Sequence, residues 1–212
     1  MVNFMLKIGV LAFQGDVIEH ISALKKAGEN LNISLEIIEV RTSSDLDGLN
    51  GIVLPGGEST TISMLLEREG MLSKMKKIPA IFGTCAGLIL MAKEVGGSME
   101  GQKFLELMDV EVERNAYGSQ LDSFESRLEC ELTGDVKIIF IRAPKIKNIG
   151  KNVKIIGRIA SNGEPVMVLQ KEKNKFYLGA TCHPELTTSK VHEYFLKETG
   201  KLKKTKTAPR DV

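Results

Sequence analysis

Two kinds of segment alternate along the first half of the sequence, and this alternation restricts the fold more than any other feature. Short apolar runs without a polar face recur, and such runs are typical of strands that are buried on both faces of a parallel sheet. They are LKIGVLAF (6–13), SLEIIEV (34–40), GIVLP (51–55) and IPAIFG (78–83). Stretches with helical spacing of apolar residues separate them, so the sequence predicts right-handed strand–helix–strand units and an α/β layered fold.

Three helices are predicted in the first half of the chain. The first has a capping box formed by Asp16 and Glu19, and it presents one apolar face. That face is predicted to consist of Ile18, Ile21 and Leu24. The three helical segments are DVIEHISALKKAGE (16–29), STTISMLLEREG (59–70) and AGLILMAKEVGG (86–97).

The second half of the chain carries short strand-like segments joined by turns, so part of the sheet is expected to be antiparallel. A last helix is predicted from about residue 187 to residue 197. Neither an internal repeat nor a linker divides the chain, and we expect a single domain over residues 1–200. Residues 201–212 are polar, basic and without periodicity, which predicts a disordered tail.

Composition excludes several classes of function. The 212 residues carry a net charge of only +2 and 5% aromatic residues, which argues against a nucleic-acid-binding face. No segment approaches the ~20 apolar residues of a membrane span, and the N-terminal segment has no signal-peptide pattern. The three cysteines, Cys85, Cys130 and Cys182, are odd in number and form no CxxC pair. We therefore expect a soluble cytoplasmic protein that binds neither nucleic acid nor membrane.

Glycine-rich breaks follow the predicted strands at FQGD (13–16), PGGES (55–59) and GTCAG (83–87). Ligands of open α/β sheets bind beyond the carboxyl ends of the strands, where these breaks lie. Cys85 would stand at the head of a helix, where free N–H groups and the helix dipole favour a thiolate. Its small neighbours resemble a nucleophile elbow, with Cys in place of Ser. The alternative is that Cys85 is a small buried hydrophobic residue.

The chain has only three histidines from which a general base could come. His20 and His192 lie in predicted helices and are expected near the surface. His183 ends an apolar strand, and Glu185 follows on the same side of the extended chain. Such a carboxylate can fix the imidazole tautomer and leave the other ring nitrogen for Cys85, although His183 could also be a structural residue at a strand end.

Attack on an amide also requires donors for the developing oxyanion. The N–H of Ala86 follows the nucleophile, and the loop LPGGEST (54–60) supplies a second candidate donor. That loop also fits a turn before a helix capped by Glu58 or Ser59, and the two interpretations are compatible. It lacks the spacing of a phosphate-binding loop. No His, Cys and carboxylate cluster has metal-ligand spacing, so we expect neither a metal nor a cofactor.

An elbow cysteine followed by H-P-E near the C-terminus resembles the class I (triad) glutamine amidotransferase family. The similarity is closest to the glutaminase subunits of pyridoxal 5′-phosphate synthases, and its motifs occur in the same order between residues 6 and 199. They are AFQGDVIEH, LPGGEST, GTCAGLIL, ERNAYGSQLDSFE, FIRAP and CHPEL. The resemblance implies a three-layer, flavodoxin-like fold with a mixed, mostly parallel central sheet.

The resemblance also implies roles for individual residues. Cys85 would be the nucleophile, His183 the base and then the acid, and Glu185 the group that orients it. Gly57 and Ala86 would form the oxyanion hole, and Gln14 would lie near the oxyanion loop and the interface with a partner. The residues that would bind glutamine are Gly56, Gly57, Glu58, Ser59, Arg114, Ile141 and Arg142.

The implied activity is hydrolysis of L-glutamine to L-glutamate and ammonia. A separate (β/α)₈ barrel synthase subunit would combine the ammonia with a pentose phosphate and a triose phosphate to make pyridoxal 5′-phosphate. Two other enzymes on the same architecture remain open: the glutaminase subunit of a different ammonia-using synthase, and a cysteine-peptidase-like hydrolase. A catalytically silent regulatory subunit is a further alternative. Asp16 departs from the family pattern and is not expected to contact the reacting groups.

Overall fold

The computed structural model describes residues 5–116 and 123–207, which form a large mixed sheet with helices on both faces and a second, smaller sheet. The strands are β1 (Met5–Leu11), β2 (Ser34–Val40), β3 (Gly51–Leu54), β4 (Ala80–Thr84), β5 (Ala92–Gly96), β6 (Met108–Glu113), β7 (Ser123–Cys130), β8 (Gly134–Ile141), β9 (Lys145–Ile149), β10 (Val153–Ile159), β11 (Pro165–Glu172) and β12 (Lys175–Ala180). The helices are α1 (Val17–Leu31), α2 (Ser59–Arg68), α3 (Leu72–Met75), α4 (Ala86–Met91) and α5 (Lys190–Thr207), with 3₁₀ turns at Ser43–Leu46 and Pro184–Leu186.

The large sheet has nine strands in the order β2-β1-β3-β4-β12-β11-β10-β7-β8. Pairings from β2 to β12 are parallel, and those from β12 to β8 are antiparallel. This confirms the expected mixed α/β sheet, and its parallel half has the strand order of flavodoxin-like folds. The antiparallel half has as many pairings as the parallel half, so the sheet is mixed rather than mostly parallel. The strand-rich second part of the sequence builds the antiparallel half.

Central strands are buried on both faces, as their continuous apolar sequences predict. In β3, Ile52 and Leu54 pack into one core and Val53 into the other. Strand β2 differs, because most of its residues are only partly buried. Its position at the edge of the sheet explains this difference, so the prediction that it is buried on both faces is wrong.

Helices α1 and α5 cover one face of the large sheet, whereas α2, α3, α4 and the sheet β5-β6-β9 cover the other. The predicted apolar face of α1 has the wrong phase, because Ile18 is 77% exposed and Ile21 only partly buried. The buried residues of α1 are His20, Ala23, Leu24, Ala27 and Gly28. Small side chains on this face allow α1 to pack closely; a Cβ on Gly28 would lie 2.5 Å from Leu35 Cδ1.

The third predicted helix is shorter than its sequence pattern suggests. Helix α4 ends at Met91, and the next residues form β5, which pairs in parallel with β6. Around this point Leu105 N donates to Leu90 O, and Leu107 N donates to Met91 O. Pairing with a distant segment therefore replaces the helical hydrogen bonds that local sequence favours after Met91.

Helix α5 continues to Thr207, so the predicted disorder is wrong for residues 201–207. Leu202 packs against the core, and Lys203 Nζ donates to Met5 O at 2.8 Å and to Asn50 Oδ1 at 3.1 Å. These tertiary contacts stabilise a segment whose sequence alone lacks helical periodicity. Residues 208–212 of the predicted tail lie outside the described residues. Among the helices of residues 5–116 and 123–207, none is both long and apolar enough to cross a bilayer.

Two glycines allow α4 to lie directly against the sheet. A Cβ on Gly87 would lie 2.0 Å from the carbonyl oxygen of Leu54 in β3, and a Cβ on Gly83 would lie 2.5 Å from the carbonyl carbon of Gly87. Real Cβ atoms do not approach backbone atoms so closely. The small residues around Cys85 are therefore required by the packing of α4 on β3 and β4.

Replacement of Gly87 by Ala is expected to destabilise the fold by about 1–3 kcal/mol, because the methyl group overpacks a backbone contact. Urea unfolding followed by circular dichroism measures the change. Gly200→Ala in α5 is the matched control, because its Cβ would meet only Leu6 Cδ1, at 3.9 Å, which is an ordinary contact distance. The control is expected to gain up to about 1 kcal/mol from helix propensity. Equal effects of the two substitutions would contradict the packing argument.

Candidate active site

Cys85 lies in the turn between β4 and α4 and has φ 48° and ψ −106°. A positive φ is strained for a residue other than glycine, by about 1–3 kcal/mol, and persists only where the surrounding structure enforces it. The N–H of Cys85 donates to Ala180 O at 2.8 Å, and its Sγ lies 3.7 Å from Ile141 O. The turn thus has the strained geometry of a nucleophile elbow, and Ala86 begins the helix behind it.

His183 follows β12, and its N–H donates to Ile139 O at 2.9 Å. Its Nδ1 lies 2.7 Å from Glu185 Oε1, and both side chains are buried. The predicted contact between these two residues is therefore present. The Nε2 of His183 is buried and has no hydrogen-bond partner among the residues that the structure describes. This leaves one ring nitrogen for the chemistry while a carboxylate engages the other.

Asp16 provides a second carboxylate beside His183, which the sequence did not lead us to expect. Its Oδ2 lies 3.0 Å from His183 Nδ1. Asp16 occupies the N-cap position of α1 but makes no side-chain cap hydrogen bond, so the predicted capping box with Glu19 is wrong. The expectation that Asp16 lies away from the reacting groups is also wrong. A carboxylate directly before a helix was the available signal, but its usual interpretation is a cap.

The carboxylates determine the charge of the site. Burial opposes protonation of His183, but interactions with Asp16, Cys85 and Glu185 outweigh it and raise its pKa to about 12. Burial raises the pKa of Glu185, and the hydrogen bond with His183 partly offsets this. The interactions with Asp16, Cys85 and Glu185 therefore favour the imidazolium form of His183. Such an imidazolium can donate a proton to a leaving group.

His20 and His192 are fully buried, in contrast to the exposed positions predicted for them. Their ring nitrogens lie 2.9 Å apart, from His20 Nδ1 to His192 Nε2. On the other side of the ring, His20 Nε2 lies 3.0 Å from Thr84 Oγ1 and 3.5 Å from Glu185 Oε1. The two histidines thus connect α1 and α5 to the residue before Cys85 and to Glu185. The four-residue spacing from His20 to Leu24 was the signal that could have revealed its burial.

Burial keeps both histidines neutral. It lowers the pKa of His192 to about 3. Burial, followed by electrostatic interactions with His192 and His183, lowers the pKa of His20 well below 6.5. The carboxylate of Glu185 favours the tautomer in which His20 carries its proton on Nε2. His20 Nδ1 then accepts from the Nε2–H of His192. This tautomer leaves a lone pair rather than an N–H without a partner, among the described residues, at His192 Nδ1.

The glycine loop after β3 lies beside the histidine. Gly57 has φ 140°, in the region that favours glycine, and Glu58 caps α2 by accepting from Thr60 N at 3.1 Å and from Thr61 N at 2.7 Å. Partial burial opposes the charge of Glu58, but these hydrogen bonds lower its pKa. Gln14 Nε2 donates to Glu58 O at 2.9 Å. The structure thus places Gln14 on the loop that was predicted to supply an oxyanion donor.

Other predicted residues of the glycine loop pack behind it. Gly56 is buried, and a Cβ there would lie 2.5 Å from His183 Cε1. Ser59 is buried as well, and its Oγ has no hydrogen-bond partner within residues 5–116 and 123–207. Gly56 therefore leaves the space that the imidazole occupies.

The two arginines that were predicted to bind glutamine lie in different parts of the site. The side chain of Arg114 is 13% exposed, and its Nη2 lies 3.1 Å from Glu58 Oε1, so it borders the glycine loop. Arg142 is exposed and has φ 43°, and it follows Ile141, whose carbonyl accepts from Cys85. The structure therefore brings one arginine to the glycine loop and the other to the segment that contacts the elbow. Residues 117–122 of the motif ERNAYGSQLDSFE lie outside the described residues.

Asp16, His183 and Glu185 are also the residues whose donor atoms could hold a metal ion, since these atoms lie within 4.8 Å of one another. The ion-pair contacts of His183 Nδ1 with both carboxylates also bring these atoms together. The expectation that the site takes no metal stays a prediction.

A cysteine on a strained elbow, next to a histidine held by carboxylates, can form and hydrolyse a thioester, which is the chemistry of cysteine-dependent amide hydrolases. Comparison with known proteins agrees with this class. Residues 10–201 match the SNO glutamine amidotransferase family, and the chain belongs to that family.

The chain is similar to several proteins named pyridoxal 5′-phosphate synthase subunit PdxT. It is 46% identical to the one from Thermococcus onnurineus over 200 residues, which cover 92% of this chain and 99% of the relative. Identity is also 46% to the Pyrococcus furiosus protein, with 92% and 99% covered, and to the Oenococcus oeni protein, with 92% and 97% covered. A solved structure described as a glutamine amidotransferase superposes with a TM-score of 0.77 at 40% identity, covering 91% of this chain and 98% of that one.

The buried histidines are expected to make stability depend on pH. Because their pKa values are depressed in the folded state, the unfolded chain takes up more protons as the pH falls below 6.5. Each histidine should then reduce the free energy of unfolding by about 1.4 kcal/mol per pH unit. In His192→Gln the amide can replace Nε2–H without titrating. Between pH 6.5 and 5 the free energy of unfolding of this variant should therefore fall less steeply with pH, by the contribution of one proton. Urea unfolding at several pH values measures it.

The same variant at pH 8 serves as its own control, because these two histidines are neutral there in both the folded and the unfolded chain. Any difference from wild type at pH 8 then reports lost packing or hydrogen bonding alone. Identical slopes for wild type and His192→Gln below pH 6.5 would show that His192 is not buried in its neutral form.

Proposed function

We propose that this chain is the glutaminase subunit of a pyridoxal 5′-phosphate synthase. It hydrolyses L-glutamine to L-glutamate and ammonia with Cys85, His183 and Glu185, and the ammonia passes to a separate synthase subunit. The observation that carries the proposal is the contact of His183 Nδ1 with Glu185 at 2.7 Å beside the elbow of Cys85. The support from sequence is its 46% identity to PdxT relatives over nearly their whole length.

The reaction proceeds in two halves. The Cys85 thiolate attacks the side-chain amide carbon of glutamine, and the oxyanion accepts hydrogen bonds from the N–H groups of Gly57 and Ala86. His183 donates its Nε2 proton to the departing ammonia, which leaves a thioester on Cys85. Water then attacks the thioester while His183 takes its proton, and glutamate and the thiolate are released. Glu185 keeps the imidazole oriented throughout.

Glutamine is held between the glycine loop and the segment Ile141–Arg142. Gly56, Gly57, Glu58 and Ser59 border its amide end. Arg114 and Arg142 are the cations that we assign to its α-carboxylate, which a guanidinium can grip with two hydrogen bonds. Arg114 is already fixed by Glu58 and by Gln102 Oε1 at 3.2 Å, so little side-chain entropy is lost when it binds.

The proposed partner is a (β/α)₈ barrel synthase subunit that combines ammonia with a pentose phosphate and a triose phosphate. Two exposed apolar residues support a docking surface next to the site: Ile18, at 77% exposure, and Leu186, at 38%, border one depression together with Glu185. Docking would order the oxyanion loop through Gln14, which already binds Glu58 O. Both subunits would work in the cytoplasm, where the free cysteines of this chain stay reduced.

Loss of the nucleophile should abolish glutamine hydrolysis. Cys85→Ala is expected to reduce glutamate and ammonia release by about 10³-fold or more, measured with and without purified synthase subunit. Cys130→Ala is the matched control, because Cys130 is also a free, buried cysteine but lies in β7. Release that survives in Cys85→Ala would refute the assigned nucleophile. Activity that appears only with a different synthase would favour the alternative partner.

A charge on the docking surface should weaken the complex without disturbing the fold. Ile18→Asp is expected to raise the Kd for the synthase subunit by about tenfold or more, because an apolar contact is replaced by a charge that must be desolvated. Isothermal titration calorimetry measures the Kd. Met64→Asp is the matched control, since Met64 is an exposed apolar residue, 65% exposed, on α2 across the sheet. Equal effects would place the interface elsewhere.

A further inference from the structure

Asp16 ends the loop of residues 13–16, which lies between β1 and α1, and its carboxylate makes no cap hydrogen bond with its own helix. An aspartate at an N-cap ordinarily accepts from the backbone N–H groups of the first turn. Asp16 makes no such bond, and its Oδ2 lies 3.0 Å from His183 Nδ1. Its side chain is 28% exposed, whereas that of Glu185 is fully buried. The contact with His183 therefore takes the place of the usual cap, and it determines where the Asp16 side chain lies.

One ring nitrogen of His183 therefore faces two carboxylates. Nδ1 lies 2.7 Å from Glu185 Oε1 and 3.0 Å from Asp16 Oδ2, and it carries a single hydrogen. The Glu185 contact is a hydrogen bond and the Asp16 contact is an ion pair at hydrogen-bonding distance, so the N–H lies within reach of two acceptors. A triad in which only Glu185 orients the imidazole does not account for the second acceptor.

The loop of residues 13–16 is packed tightly on the glycine loop. A Cβ on Gly15 would lie 1.7 Å from Gly56 O, and a Cβ on Gly56 would lie 2.8 Å from Asp16 Oδ2. Gln14 Nε2 adds a hydrogen bond to Glu58 O at 2.9 Å. Because glycines remove the side chains that would separate these loops, a shift of either loop would also move Asp16 relative to His183.

We propose that Asp16 is a positioning residue for the catalytic histidine, which shares the Nδ1–H of His183 with Glu185 and couples the orientation of the ring to the loop of residues 13–16. The proposal rests on the proposed function only in calling His183 catalytic. It adds a second carboxylate to the three residues of the proposed triad.

The charges around His183 determine the direction in which its pKa should shift when the charge of Asp16 is removed. The titratable groups that face it are Asp16 from the loop before α1, Cys85 from the head of α4, Glu185 from its own segment, and His20 from α1. His20 is neutral, so Asp16, Cys85 and Glu185 are the groups that favour the imidazolium. Removal of the Asp16 charge should therefore lower the pKa of His183, and the ring should lose its proton at lower pH.

The first test is an NMR titration of the full-length chain with ¹⁵N-labelled histidine. The chain has three histidines, and His183→Gln identifies the signals of His183. In Asp16→Asn the pKa of His183 should fall by about one unit or more relative to wild type. Glu19→Gln is the matched control, because it removes the same charge from an exposed position in the first turn of α1, and it should leave the titration unchanged.

The titration separates positioning from a purely structural role. If Asp16 were only structural, Asp16→Asn would change the melting temperature but leave the pKa of His183 as in wild type, which would overturn the proposal. Asp16→Ala provides a second variant in case the asparagine amide disturbs the fold, and the same fall in pKa is expected. Because the titration needs neither glutamine nor a partner, it can fail or succeed independently of the proposed function.

The second test is a double-mutant cycle on glutamine hydrolysis in the presence of the synthase subunit. Asp16→Asn and Glu185→Gln are compared singly and together. If the two carboxylates share one N–H, each partly replaces the other, so the double variant should be at least about tenfold slower in kcat/KM than the product of the single losses. Losses that simply multiply would overturn the sharing. Absence of hydrolysis in wild type would instead contradict the proposed function and leave the titration as the deciding result.

Discussion

Parallel pairing of β4 with β12 is the constraint on which the site depends. Thr84 stands opposite Ala180 in this pairing, and the N–H of Cys85 continues it by donating to Ala180 O. The two strands are far apart in sequence, yet their carboxyl ends meet at one edge of the sheet. Cys85 follows one strand and His183 follows the other. A slip of one residue in this register would turn the side chains of β12 to the opposite faces and separate the nucleophile from its base.

The same edge also collects the loops that surround these two residues. Strand β1 leads to Asp16 and β3 leads to the glycine loop, because parallel strands all end on one side of the sheet. Glycines at positions 15, 56 and 87 then allow loop, histidine and helix to approach within distances that a methyl group would forbid. The sheet thus fixes the chain segments that form the site, and glycines at their contacts allow these segments to pack closely.

Local pattern was sufficient to predict the parts of the site that depend on neighbours in sequence. The elbow around Cys85 and the alignment of His183 with Glu185 follow from short-range geometry. Local pattern was insufficient where contacts with a distant segment determine the burial of a residue or the length of a helix. His20 is buried because His192 of α5 faces it, α4 ends early because β6 pairs with the residues after it, and α5 is long because Lys203 reaches Met5 and Asn50.

Asp16 illustrates the same limit most clearly. From sequence, an aspartate before a helix is best explained as a cap, and only the pairing of β1, β3, β4 and β12 brings it to His183. The arrangement has an electrostatic consequence. The side chains of Asp16 and Glu185 converge on the single ring of His183, which follows β12, beside the elbow that follows β4. A movement of the loop that carries Asp16 would therefore change the charge next to the ring while the pairing of β4 with β12 keeps the elbow and the histidine in place.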